Sequence, residues 1–586
     1  MGPQTNGRPL RSNLTPGTSP WATRRAQWRA LGLTDEDMER PKVAIVNSSS
    51  DLAICFSHLD GIVPRLKAAI RQAGGLPFEV RTAAPSDFIT SAGHGGRYIL
   101  PTRDLIVNDI EVAVEGALLD GMVCLASCDK TTPGQLMAAA RLDLPTVVVP
   151  CGYQTGGRWC DAHIDIEDVF ANAGRVPTGE LSVEDLAGMA DNAITSPGVC
   201  AGLGTANSMH MAAEALGMAP PGSSPCRANS DKMWAAVDWA GRRIVELVAD
   251  DVRPRAVMTP GAFANAVAVM LASSASVNSV KHLQAVADEA ECDVDVWGLF
   301  ASLADDVPLL TDIRPNGDRH VDELDAAGGC AALLSRLSPL LDLDATTVAG
   351  RLGDVLATVQ VADGEVVRPF DDPLGRDATI LVVRGSLAPG GALTKRAVVD
   401  TRPMRFSGPA VLFHSREEAI DGLHAGRIRP GDVVVLRGLG PHGGPGMAFA
   451  SGFIFALEAS PLAGTVAVVT DSQLSGLVNK GLVVGEVAPE AAIGGPLALV
   501  EAGDTVTIDL DRRAVDLDVP PDVLAGRRTT LPPPPVRTRG WLSIYDRVVG
   551  DPARGLSLAG DPTPAGDQGR AGDPTPAGDQ GRPATR

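Results

Sequence analysis

Four short apolar runs, Lys42–Val46, Phe78–Thr82, Gly121–Ala126 and Thr146–Pro150, alternate with stretches whose apolar residues return at helical spacing. In the stretch His58–Ala73 those residues are Leu59, Ile62, Val63, Leu66, Ala69 and Ile70, and Gly74-Gly75 stops it. Leu105–Leu119 and Gly134–Leu142 are the next helices in the series. Strands separated by helices do not pair as hairpins. They lie parallel, with the helices crossing over the faces of the sheet. The fold class expected for this part is an α/β domain with a parallel sheet flanked by helices.

Further helices follow at Ala206–Leu216, Lys232–Asp250 and Pro260–Ser273. From residue 345 onward the texture changes. Thr379–Val383, Ala410–Phe413, Asp432–Arg437, Thr465–Thr470 and Thr505–Leu510 are short β-rich runs parted by Gly, Pro and Asp. They predict a mainly β, barrel-like C-terminal domain, with the boundary inside 345–378. The expected organisation is a disordered arm over 1–22, an α/β domain over 23–365, a β-rich domain over 366–550 and a disordered tail over 551–586. In the tail, residues 559–570 recur identically at 571–582. A Pro/Gly/Asp repeat of that kind has too little apolar surface to build a core.

A chain of 586 residues has room for two or more domains. Its net charge of −20 opposes nucleic-acid binding, and aromatics at 4% supply few stacking platforms. No apolar run approaches the ~20 residues that span a bilayer. Nine cysteines without regular spacing do not form a disulfide framework, and no signal-peptide pattern is read. A reduced, cytoplasmic setting is expected, with thiols available for metal binding or catalysis.

Cys128-Asp129-Lys130 stands where the run Gly121–Ala126 ends. Open α/β sheets place ligands at such strand ends. The plain alternative is a packed cysteine beside an ion pair. Cys55 and Cys200 also lie at turns among small residues, and the three thiolates could serve one iron–sulfur cluster. Their spacing is too wide for a local ferredoxin-type motif, so the fold would have to bring them together. Cys124, Cys151, Cys160, Cys226, Cys292 and Cys330 are read as packing thiols or bystanders. His58, His94, His163, His210 and His282 are read as structural histidines by default, while His94 and His442 also lie in cleft-forming motifs.

Six ordered motifs carry a resemblance. They are Cys128-Asp129-Lys130-Thr131-Thr132-Pro133-Gly134, Gly204-Thr205-Ala206-Asn207-Ser208-Met209, Gly385-Ser386-Leu387-Ala388-Pro389-Gly390-Gly391, Gly440-Pro441-His442-Gly443-Gly444-Pro445-Gly446-Met447, Thr470-Asp471-Ser472-Gln473-Leu474-Ser475-Gly476 and Pro489-Glu490-Ala491-Ala492. With them the chain resembles the dihydroxy-acid and sugar-acid dehydratase family. The resemblance implies a hydro-lyase that converts a 2,3-dihydroxy acid or sugar acid to a 2-keto acid. It implies an iron–sulfur cluster on Cys55, Cys128 and Cys200, of the two-iron rather than the four-iron type. It also implies magnesium on Asp87, Asp129 and a carbamylated Lys130, with Ser475 as base. Magnesium would chelate the carboxylate and C2 hydroxyl, and iron would act as Lewis acid on the C3 hydroxyl. The implied partner is a small polyhydroxylated carboxylate, and the implied assembly a homodimer or homotetramer.

The sequence departs from the family pattern at several places. Phe449 stands where a metal-binding glutamate is usual, His442 where a lysine is usual, and Ser472-Gln473 where Gly-Arg is usual. Phe88 follows Asp87 in place of the usual glycine. The alternative reading is a divergent member whose activity is retuned or lost: a cluster-binding partner, a sensor or an enzyme of another reaction. Glu458 is a possible substitute ligand. Gly438-Leu439-Gly440-Pro441-His442-Gly443 formally matches a dinucleotide fingerprint, but Pro441 and Pro445 stiffen the loop and no βαβ unit surrounds it.

Overall fold

Strand β1 (Lys42–Asn47) is buried on both faces. It lies between β2 (Leu76–Arg81) and β3 (Gly121–Ala126), and β4 (Thr146–Pro150) follows β3. All three pairings are parallel, as the alternation requires. This is a computed structural model of the full chain. It describes residues 9–558 apart from 92–95, 178, 362–363, 397–402, 445, 448, 477–480, 535–536 and 538. Val43, Ala44, Ile45 and Val46 are wholly inaccessible to solvent. Burial of the valine and isoleucine side chains stabilises by about 1.5–3 kcal/mol each.

Helices α1 (Leu59–Gln72), α2 (Ile99–Gly116) and α3 (Thr131–Leu142) cover the sheet. Helices α4 (Thr205–Ala215), α5 (Asp231–Asp250), α6 (Pro260–Ala272) and α7 (Asn278–Glu289) complete this half. Helix α5 packs on α1, α3 on α2 and α7, and α4 on α6. Helix α3 begins at Thr131, three residues before the sequence expectation, so the loop carrying Cys128, Asp129 and Lys130 runs straight into its first turn.

The C-terminal half is an eight-stranded sheet. Its strands are β5 (Ile380–Val383), β6 (Gly391–Lys395), β7 (Arg405–Phe413), β8 (Val433–Leu436), β9 (Ala467–Thr470), β10 (Leu482–Ala488), β11 (Thr505–Asp509) and β12 (Ala514–Leu517). The order is β12-β11-β7-β8-β9-β10-β6-β5. The central four strands run parallel, and an antiparallel pair flanks them on each side. A bridge between Arg384 and Ala514 brings the two ends of the row together, giving the barrel-like shape. Val433, Val435, Val469 and Val484 fill its interior. Val434, Leu436, Val468 and Val483 point into the core shared with the first half. Both faces are buried, and so these strands read as unbroken apolar runs.

Two expectations for the termini need correction. Residues 9–22 are held rather than disordered: the Ser12 hydroxyl donates to Asp120 at 2.6 Å, and a helix runs Ser19–Ala30. Ser12 is buried by this contact, which also ties the arm to the amide of Lys42 through Asp120. Residues 551–558 are also folded onto the first half, because the buried Arg103 donates to the carbonyls of Gly555 and Leu556 at 3.0 and 2.9 Å. Residues 1–8 and the repeated tail lie outside the described residues. Among the described residues no helix is long and apolar enough to cross a membrane.

Candidate active site

Every strand of a parallel sheet ends on the same edge, so the loops after β1 and β3 meet there. Cys55 lies in the loop after β1, and Cys128 directly follows β3. The Cys55 carbonyl accepts from the Ser127 hydroxyl at 2.6 Å, which stitches the two loops together. Cys200 comes from the loop before α4. There Gly198 takes φ +125°, and a Cβ on it would press on the backbone of Tyr153 and Gln154. Asn207 on α4 donates to the carbonyls of Cys200 and Gly202 at 2.9 and 2.8 Å and fixes that loop. The three cysteines line one cavity of about 400 Å³.

Asp87 and Asp129 line the same cavity. Lys130 is fully buried beside it, with its Nζ 3.0 Å from Asp87 and 3.9 Å from Asp129. The opposite wall comes from the C-terminal half and includes Arg416, Met447, Ser475 and Gly476. Ser475 sits in the loop after β9. That loop is held by Asp471, whose carboxylate accepts from the amides of Gly438, Leu439 and Ala491 at 2.9 Å each. All seven residues singled out from the sequence thus converge on one place.

The electrostatics are those of a concentrated anionic donor set. A hydrogen bond with Cys55, then burial, then nearby negative charge hold the Cys128 thiol well above its ordinary value. Burial and the Asp129 charge do the same for Cys200. Burial and the Asp87 charge push Asp129 up to about 7. Asp87 Oδ1 is buried with no hydrogen-bond partner. Such a set gains from a bound cation.

Among the described residues no three His, Cys, Asp or Glu side chains close on a single ion. That is compatible with both expected groups. Thiolates on an iron–sulfur cluster bind different irons and need not meet at a point. A magnesium site of Asp87, Asp129 and a carbamate on Lys130 uses only two side chains of those types. The donor chemistry therefore fits a cluster and a hard cation side by side.

Several further cavity residues were not expected there, Phe88 having been noted only as a departure beside Asp87. Phe88, Phe170, Ile89 and Ile194 give it an apolar wall. The Phe88 and Phe170 rings pack edge-on at 5.7 Å. Arg416 is a cation on the C-terminal side. Glu167 is buried, with Oε1 unpartnered, and burial together with the Asp165 charge raises it to about 8. Its surroundings come from distant segments, which no local pattern announces.

The departures from the family pattern fall as follows. Phe449 is buried with its ring against Gly444, and it is not among the residues lining the cavity. Glu458 lies beside Gly481 and does not line it either. His442 Nδ1 pairs with Glu490 at 2.8 Å. The glycine loop cannot cradle a pyrophosphate, because its amides at Gly438, Leu439, His442 and Gly443 already donate to the carboxylates of Asp471 and Glu490. Cys124, Cys151, Cys226 and Cys330 are buried, Cys160 is exposed, and none of them borders the cavity. His210 and His282 are hydrogen-bonded in the interior, the half-buried His58 is hydrogen-bonded to the Cys151 carbonyl, and His163 packs edge-on against His320. His94 lies outside the described residues.

Comparison with known proteins agrees with this architecture. The model for the dihydroxy-acid/6-phosphogluconate dehydratase N-terminal domain matches residues 40–354. The model for the corresponding C-terminal domain matches residues 365–556. A dihydroxy-acid dehydratase of Methanothrix thermoacetophila is 40% identical over 553 residues, covering 93% of this chain and 99% of the relative. One from Moorella thermoacetica is 39% identical over 541 residues, covering 92% and 98%. One from Ignicoccus hospitalis is 39% identical over 544 residues, with the same coverage. Both halves of the fold and nearly the whole length are shared, and the chain belongs to the dihydroxy-acid/6-phosphogluconate dehydratase family of hydro-lyases.

Proposed function

We propose that this chain removes water from a 2,3-dihydroxy carboxylic acid carrying an alkyl group at C3, giving the 2-keto acid. One observation carries the reading: a single cavity gathers Cys55, Cys128, Cys200, Asp87, Asp129 and Ser475 from loops of both halves, with Lys130 directly behind them. The cysteines would hold an iron–sulfur cluster, of the two-iron type, and Asp87, Asp129 and Lys130 would hold magnesium. When bound, these groups supply Lewis acidity to the C3 hydroxyl and to the carboxylate and C2 hydroxyl.

The protein's own groups do the rest. Ser475 Oγ, as an alkoxide, takes the proton from C2. The C3–O bond breaks, and the departing hydroxide leaves as water once it gains a proton. The resulting enol takes a proton at C3 and loses one from the C2 oxygen to become the ketone. Arg416 borders the cavity from the C-terminal side with its guanidinium held by Glu417 at 2.6 and 3.0 Å. The apolar wall of Phe88, Phe170, Ile89 and Ile194 suits an alkyl substituent. A sugar acid would bring hydroxyl groups against that wall without hydrogen-bond partners, which is costly.

The test is anaerobic purification, reconstitution with iron and sulfide, and assay of 2-keto acid formation. The panel pairs 2,3-dihydroxy-3-methylbutanoate with gluconate and 6-phosphogluconate. Turnover of the alkyl acid in preference to the others is expected. Preference for the sugar acids would overturn the substrate assignment. Bound iron and sulfide without turnover of any acid would overturn the proposal in favour of a cluster-binding protein without dehydratase activity.

A further inference from the structure

The geometry points to a buried ion pair, Lys281–Glu486, as the positioning element of the serine loop; this rests on the reading of Ser475 as the base. Lys281 comes from α7 of the first half and Glu486 from β10 of the second. Their side chains are each 1% exposed, and Nζ lies 2.5 Å from Oε1. A buried ion pair contributes little net stability, because desolvation of both charges offsets their attraction. An apolar pair of the same size would hold the two halves together at least as well. What the carboxylate does beyond pairing is therefore the informative part.

Glu486 Oε1 also accepts the amide of Leu474, at 3.1 Å. Leu474 is the residue immediately before Ser475. The Glu486 amide in turn donates to the Ser472 carbonyl at 3.1 Å. One residue thus grips the serine loop from both sides. Glu486 does so at φ +60°, a left-handed backbone that non-glycine residues seldom take and that must be held by its surroundings.

The other end of the pair reaches the metal side. Lys281 Nζ donates to Asn278 Oδ1 at 2.6 Å, and Asn278 Nδ2 donates to Thr205 Oγ1 at 2.9 Å. Thr205 Oγ1 is also hydrogen-bonded to Ser276 Oγ at 2.9 Å, and Thr205 lines the cavity together with Asp129. A polar run therefore links Thr205, on the cavity wall, to Asn278, Lys281, Glu486 and the amide before Ser475. Gly476 presses the loop against the same point: a Cβ there would stand 2.5 Å from Ser276 Oγ and 2.8 Å from Thr205 Oγ1. Ser475 is thereby registered by hydrogen bonds against Thr205, which shares the cavity wall with Asp129, where apolar packing alone would leave the loop free to slide.

Double variants test this. Lys281→Met/Glu486→Leu replaces the pair with apolar side chains and removes the acceptor for Leu474. Lys281→Met/Glu486→Gln removes both charges but keeps an acceptor oxygen. For the Met/Leu variant we expect kcat to fall roughly tenfold or more with KM little changed, while amide exchange in 472–476 speeds up by a similar factor. The Met/Gln variant should recover most of both losses. Equal kcat and equal exchange in the two variants would overturn the proposal and leave the pair a clamp between the halves. A fall in kcat without faster exchange would also overturn it. Should Met/Leu fail to fold, Glu486→Asp keeps a charge for the flexible Lys281 and withdraws the acceptor from Leu474 by one methylene. Wild-type kcat and exchange in folded Glu486→Asp would then overturn it. If the wild type turns over no acid, the assignment of Ser475 fails, and the exchange measurement alone decides the positioning.

Discussion

Cys128 shows how one side chain takes its meaning from its neighbours. Buried cysteines are common packing residues, but this thiol faces a cavity shared with Cys55 and Cys200. Cys128→Ser should abolish the visible absorption of the iron-reconstituted protein while the far-ultraviolet circular dichroism stays unchanged; retained absorption would remove Cys128 from the ligand set. Phe449 makes the opposite case. Its ring is buried outside the cavity lining, so Phe449→Glu buries a carboxyl away from the candidate metal site. A loss of about 2 kcal/mol or more in urea unfolding is expected, without a gain in magnesium affinity. His442 carries a pH dependence. Burial pushes its imidazole down, but the hydrogen bond and charge of Glu490 outweigh this, and the net shift is upward. A raised histidine stabilises fully below its unfolded value near 6.5 and loses that contribution as pH rises through the folded value. Between about pH 6 and pH 9 the wild-type urea midpoint should therefore drop further than that of His442→Gln. Parallel profiles would show that the pair contributes nothing.

At the level of elements, the loops after β1, β3 and β9 were legible because each follows an unbroken apolar run and carries small or polar residues. Helix α7 was not. Its buried face includes Lys281, His282 and Gln284, so polar residues interrupt the apolar stripe by which an amphipathic helix is recognised. A lysine in a helix facing the core, and a glutamate inside the apolar strand Leu482–Ala488, were the signals available, and each has meaning only once the other is in place. The loop after β9 depends on Asp471 in a similar way. Burial and the Glu490 charge push this carboxyl up to about 6, and three backbone amides donate to it. Asp471→Asn turns one acceptor into a donor facing an amide. A loss of about 2 kcal/mol in stability is expected, with kcat falling alongside, because the same loop carries Ser475. Unchanged urea unfolding would show that the amides find other acceptors.

Across the whole molecule, the two halves are joined by more than the cavity. Val434, Leu436, Val468 and Val483 of the C-terminal sheet share one core with the first half. The chain then returns after its last strand. Arg103, fully buried, donates to Gly555 and Leu556, and the amide of Leu558 donates to Asp104 at 3.3 Å. A chain ended at Val548 would leave the Arg103 guanidinium without two of its acceptors. We expect it to lose about 2–4 kcal/mol and to melt at a lower temperature, read by differential scanning calorimetry. An unchanged melting temperature would show that the returning segment adds nothing to stability.

The sequence by itself determined the parallel first sheet, the β-rich second half and the loops that meet at the cavity. Those features are written in periodicity and in local motifs, and strand ends on one edge of a parallel sheet must converge. Only the tertiary structure decided the rest. It showed that residues 9–22 and 551–558 are held, that Arg416, Phe88 and Phe170 share the cavity, that Phe449 lies outside its lining, and that Lys281 and Glu486 pair beneath the serine loop. A contact between distant segments depends on how two cores pack against each other, and no local stretch of sequence encodes that packing.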